Sequence, residues 1–166
     1  MFSGCTSLAE APELPATTLA DDCYRSMFSG CTSLTEAPEL PAISLANSCY
    51  YSMFSGCTSL TIATILTATT LVNNCYTYMF SGCTALKAIV CMCITPPTST
   101  YALNMLYNVS STGTFVKNFE AEWDSSVGTI PSGWTFVDNY TPQECTNLVI
   151  TAPDVRARDT STTISY

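Results

Sequence analysis

The apolar positions of this chain recur at a fixed interval. Met1, Phe2, Cys5 and Leu8 are followed by the same four residues at Met27, Phe28, Cys31 and Leu34, then at Met53, Phe54, Cys57 and Leu60, and again at Met79, Phe80, Cys83 and Leu86. The interval is the step from Met1 to Met27, and the first two copies, 1–26 and 27–52, differ only at 9/35, 17/43, 18/44, 21/47, 22/48 and 25/51. Tyr24, Tyr50 and Tyr76 and Cys23, Cys49 and Cys75 keep the same interval. A unit this short cannot bury its own apolar face, so such repeats stack, and each recurring apolar position becomes a row through the core.

Within a unit, the segments opened by Leu8, Leu34, Leu60 and Leu86 read as strands. Those of successive units would lie side by side as a parallel sheet. Pro12, Pro15, Pro38 and Pro41 fall in or just after the first two, and proline cannot donate to a ladder, so these strands must be short. In the later copies Thr64, Thr67, Val90 and Cys93 replace them, which predicts a more regular sheet there. The second half of the unit carries Leu45, Cys49, Tyr50, Met53 and Phe54, a helical spacing, broken at Ser55-Gly56. The pattern therefore predicts strand, turn, short helix, turn.

After Cys93 the recurrence of residue types is lost. The text then predicts a helix over 101–108, a strand over 113–117, a helix over 120–125, a turn over 129–134 and a strand over 135–138. These read as divergent coils closing the open end of the core, with Trp123 and Trp134 as seals. Two alternating segments, 146–151 and 160–166, read as the opening hairpin of an immunoglobulin-like module, and a lone hairpin is marginal by itself.

The phrase around Phe28, Cys31 and Leu34, repeated at Phe54, Cys57 and Leu60, resembles the BspA-like class of leucine-rich repeats of bacterial surface and secreted proteins. The resemblance covers residues 1–93, with a unit longer than is usual in that class but inside the span of about 20–29 residues for leucine-rich repeats. It implies an α/β repeat, a right-handed leucine-rich-repeat solenoid of short parallel strands and short helices. Residues 1–93 would form the repeats (units starting at 1, 27, 53 and 79), 94–140 a divergent C-terminal cap, and 141–166 a trailing β-hairpin. It also implies adhesion to a host or bacterial surface protein or glycan, at the cell surface or after secretion.

Charge and composition narrow the partners. With 13 acidic against 5 basic residues the net charge is −8, which repels nucleic-acid phosphates and weakens binding to anionic membranes. No apolar run reaches the length of a membrane span, so direct insertion is not expected. No secretory leader opens the chain, and Met1 occupies a repeat position, which suggests a fragment of a longer parent. The ten cysteines include seven in register, and a position repeated once per coil packs as a small apolar side chain more naturally than as a disulfide framework.

Catalytic chemistry finds no support. Histidine is absent, which removes the commonest general base and a common metal ligand. Cys91 and Cys93 form the nearest thiol pair and read as packing. No catalytic, metal or cofactor residue is assigned, and the chain is expected not to be an enzyme.

Side chains that vary among equivalent units are free of core duty. On the strands these are Glu10, Glu36, Ile62 and Ile65, with Lys87, grading from acidic to apolar along the array. Tyr51 and Tyr78 break the interval on the helical side and are expected to be exposed. These seven residues are the candidate ligand contacts. Two functions compete: a binding module using the repeat surface, and a structural spacer of a large surface or phage fibre protein. The free edge near Leu8 predicts an end-to-end homodimer. Asn108-Val-Ser110 and Asn139-Tyr-Thr141 match the glycan-acceptor pattern, which has meaning only in a secretory host.

Overall fold

A computed structural model describes residues 1–94, 98–123 and 130–139. The strands are β1 (Ile65–Leu66), β2 (Ala88–Cys91), β3 (Thr112–Asn118) and β4 (Gly133–Asn139), with one four-residue helix, α1 (Ser99–Ala102), between β2 and β3. They form one parallel sheet in the order β1-β2-β3-β4. The first copy has no strand and the second contributes a single bridge, Glu36 to Ile62. The prolines therefore do what their missing N–H predicts: the regular sheet begins where threonine and valine replace them.

The core is built of rows. Phe2, Phe28, Phe54 and Phe80 stack at centroid spacings of 5.6, 5.6 and 5.5 Å with interplanar angles of 10° or less. Tyr24, Tyr50 and Tyr76 stack at 5.9 and 6.2 Å. The cysteines form a third row, and none of those in the described residues is in a disulfide. The thiols of Cys31, Cys57 and Cys83 each donate to the carbonyl of the phenylalanine one copy back, Phe2, Phe28 and Phe54, at 3.0–3.1 Å. Cys5 and Cys23, in the first copy, are exposed, while Cys91 and Cys93 are buried as packing residues.

The segments read as helices are not helical. Residues 47–56 form a run of turns in which alternate N–H groups have different destinations. Those of Cys49, Tyr51, Met53 and Ser55 bond back within the segment, to Ala46, Ser48, Tyr50 and Ser52. Those of Ser48, Tyr50, Ser52, Phe54 and Gly56 cross to the carbonyls of Asn73, Cys75, Thr77, Met79 and Ser81 in the next copy, at 2.7–3.2 Å. Every fourth residue takes the left-handed conformation: Ser48 (φ 53°), Ser52 (φ 51°) and Gly56 (φ 76°), with Asp22, Ser26 and Gly30 before them and Asn74, Tyr78 and Gly82 after. An α-helix cannot contain such residues in series, and the spacing of four that mimics a helical stripe belongs to this turn ladder.

The ladder outlasts the repeated text. Tyr76, Tyr78, Phe80 and Gly82 donate to Tyr101, Leu103, Met105 and Tyr107, and β2 pairs with β3 at the same repeat interval, Ala88 opposite Thr114. Residues 103–108, expected in a helix, instead continue the turns, because Asn104 and Asn108 are left-handed (φ 52° and 57°). The strand expected at 113–117 is β3, and that at 135–138 is β4. Of the helix expected at 120–125, the described part is irregular, with the Glu120 N–H bonded to Asn118 Oδ1 at 2.9 Å. β4 pairs with β3 at a shorter sequence interval, Thr114 opposite Thr135. Both tryptophans are buried, and their Nε1–H groups donate to main-chain carbonyls, Trp134 to Ser110 (2.7 Å) and Trp123 to Cys93 (3.4 Å). The hairpin expected within 141–166 lies outside the described residues.

Candidate functional site: the outer face of the sheet

Side chains alternate across a strand, and here the buried inward side chains are Leu66, Ile89, Cys91, Phe115 and Trp134, with Phe136 partly buried beside Phe115. The outward set is defined by the register. Ile65 stands opposite Val90, Val90 opposite Val116, and Val116 opposite Val137. Four aliphatic β-branched side chains therefore form one row across all four strands, roughly 14 Å long at the usual strand spacing. Ile65 and Val137, at its two ends, are 54% and 44% exposed; Val90 and Val116 are half-buried between them. The adjoining row consists of small side chains, Ala88, Thr114 and Thr135, two of them hydroxyl-bearing. Behind the ridge, Phe115 packs on Trp123 and Phe136 at 5.0 and 5.7 Å, so the platform rests on a rigid aromatic layer.

A slip of the register by one position creates this row. Glu36 pairs with Ile62, its equivalent in the next copy, but Ile65 pairs with Val90 rather than with its own equivalent, Cys91. The slip brings Leu66 opposite Cys91 in the core and leaves Val90 beside Ile65 outside.

The candidate residues fall into two groups. Ile62 (57% exposed) and Ile65 share the strand side with the exposed Glu36 and Lys87. Lys87 directly precedes β2, and its carbonyl accepts the Thr114 N–H at 2.8 Å. Glu10 is exposed on the first copy, where no strand forms among the described residues. Tyr51 and Tyr78 lie on the turn segments instead. Both are half-buried, packed edge to face at 5.9 Å, with the Arg25 guanidinium 4.2 Å from the Tyr51 ring centre and held by Asp22 at 2.9 Å. Val90, Val116 and Val137 were missed by sequence reasoning. The alternation Phe115-Val116 and Phe136-Val137 was the available signal, hidden by the loss of repeated text.

The buried thiols are poor nucleophiles. Burial pushes Cys49, Cys57 and Cys75 up to about 12, and raises Cys83 and Cys91 as well. Thiolate, the reactive form, is scarce at neutral pH in such an environment. Among the described residues no group of three or more His, Cys, Asp or Glu gathers to hold a metal ion, and no helix is long and apolar enough to cross a membrane. An open groove of about 470 Å³ lies among Ile43, Leu45, Thr67, Thr69 and Val72. The chain matches no protein-family model, and no curated protein or solved structure is significantly similar to it.

Proposed function

We propose that the chain is a non-enzymatic binding module, built as a right-handed leucine-rich-repeat solenoid of the BspA-like kind. Its sheet face docks a protein or glycan partner for a cell-surface or secreted bacterial protein. The observation that carries this reading is the aliphatic ridge Ile65–Val90–Val116–Val137, which crosses every strand while its two end residues face solvent. An apolar strip exposed at its two ends and bordered by Thr114 and Thr135 supports a contact surface. Glu36 and Lys87 add exposed charges of both signs to the strand side.

The test is a screen of the purified chain against surface proteins and glycans at physiological salt. It is followed by an Ile65→Lys, Val137→Lys variant whose circular dichroism is unchanged. A binding partner should be lost, by at least about tenfold for two anchor residues. Retained binding by that variant would refute the ridge as the contact surface.

A spacer is the second reading. The phenylalanine spacing of 5.5–5.6 Å at three successive interfaces favours it, since uniform stacking suits a stiff rod. An empty screen would shift weight to it.

A further inference from the structure

The strand side changes character along the array. Leu14, Leu40 and Leu66 occupy equivalent positions and are buried in the core. The residue before each of them faces outward: Glu13, Glu39 and Ile65, all exposed. The position that opens the aliphatic ridge in the third copy therefore holds a carboxylate in the two copies before it. Glu10, Glu36 and Ile62 form a second equivalent set, also exposed, and the Glu36–Ile62 bridge ties the second copy to the third. Around that bridge the Ala37 N–H donates to the Ile62 carbonyl at 3.3 Å, and the Thr61 N–H to the Thr35 carbonyl at 3.1 Å. Its register, carried three residues on, sets Glu39 beside Ile65. Basic charge is sparse on this side. Of the bases in the described residues, Arg25 is held by Asp22 on the turn segments and Lys117 by Asp138, which leaves Lys87 at the foot of β2.

We propose, resting on the reading of the sheet face as a contact surface, that its occupant is a polypeptide segment with an aliphatic block beside a cluster of Lys or Arg, lying across the strands. The aliphatic block covers Ile65, Val90, Val116 and Val137, and the cations stand over Glu39 and Glu13. Burial of the ridge supplies most of the affinity, while the carboxylates fix which way the segment runs and reject acidic partners. From Glu39 to Val137 the row is about 19 Å long at the usual strand spacing, a reach that about six extended residues cover. A sugar finds less here. Phe115, Trp123 and Trp134 are buried beneath the face and Phe136 partly so, and among the described residues the face offers a pyranose no aromatic plane to stack on. Charge also disfavours a second copy, since each chain carries a net −8 and brings the same glutamates to this side.

The test is selection of a random peptide library, displayed on phage, against the full chain at low salt. Enriched peptides should pair an aliphatic block with Lys or Arg. The most enriched one is then synthesised with a fluorescein label and titrated against the full chain by anisotropy. Its affinity should fall about fivefold for Ile65→Thr, Val137→Thr, which removes apolar surface without adding charge. It should fall about threefold for Glu13→Gln, Glu39→Gln, exposed isosteric changes checked by unchanged circular dichroism. The second loss should vanish at about 0.5 M salt, where ions screen the carboxylates. A library without enrichment, or enriched peptides with no excess of Lys and Arg, would overturn the proposal. So would affinity indifferent to Glu13→Gln, Glu39→Gln; if Ile65→Thr, Val137→Thr still weakens binding in that case, the ridge stands as a contact surface and only the basic partner is refuted. Binding indifferent to Ile65→Thr, Val137→Thr would refute the ridge and the proposal together. Self-association of the chain that displaces the peptide would also overturn the proposal, assigning the face to a second copy.

Discussion

The phenylalanine row allows a graded test of stacking. Phe54 is fully buried, with Phe28 at 5.6 Å on one side and Phe80 at 5.5 Å on the other. Truncation to alanine removes two ring contacts and leaves a cavity that the adjoining copies, tied by main-chain bonds, cannot collapse to fill. Phe→Ala in such a site costs about 3–5 kcal/mol. Phe2 has one stacked neighbour, Phe28, and is only partly buried, so its loss should cost about half as much, about 2 kcal/mol. Because domains are commonly stable by about 5–15 kcal/mol, Phe54→Ala should remain measurable but fold marginally. Urea unfolding followed by circular dichroism, with m-values compared, gives both numbers. Equal costs for Phe2→Ala and Phe54→Ala, or a Phe54→Ala cost below about 1.5 kcal/mol, would refute the stacked arrangement.

Among the described residues the buried Tyr50 hydroxyl meets no hydrogen-bond partner, so Tyr50→Phe should stabilise the chain by about 1 kcal/mol, read as a higher urea midpoint. Cys5 and Cys23 should react with a thiol reagent in the native state, while Cys31, Cys49, Cys57, Cys75, Cys83, Cys91 and Cys93 should react only on unfolding. Burial raises Cys49, Cys57 and Cys75 from the ordinary 9.0 to about 12, so the folded state keeps protons that the unfolded chain releases. Stability from this source is complete below pH 9 and is lost between 9 and about 12; a urea midpoint that is unchanged across that window would contradict the burial. Gly113→Ala should destabilise more than Gly56→Ala. A Cβ at Gly113 would meet the Lys87 carbonyl oxygen at 2.6 Å and the Trp134 ring at 2.7 Å, whereas at Gly56 the cost is the left-handed backbone alone, about 1 kcal/mol.

The candidate site was half legible. Ile62 and Ile65 stand out because they replace the glutamates of earlier copies, and they are exposed. Their continuation through Val116 and Val137 depends on strand pairing after the repeated text has gone, and on the register slip at Val90. No local signal encodes either. Tyr51 and Tyr78 break the interval, which suggests exposed contacts. They are instead half-buried against each other, because every fourth turn residue is left-handed and turns Tyr78 (φ 55°) toward its neighbour.

The sequence by itself determined the period, the identity of the core rows and the place where the sheet could begin. Recurring Phe, Cys, Leu, Met and Tyr have one way to be buried together, and proline denies its strand an N–H wherever the chain runs. Only the tertiary structure decided between helix and turn ladder. Cys49, Tyr50, Met53 and Phe54 satisfy either pattern, and the choice rests on where alternate N–H groups find acceptors. Here those acceptors belong to the next copy, almost a full repeat away, as in the bond from Phe54 to Met79. A bond to a distant carbonyl leaves no mark within the segment that donates it.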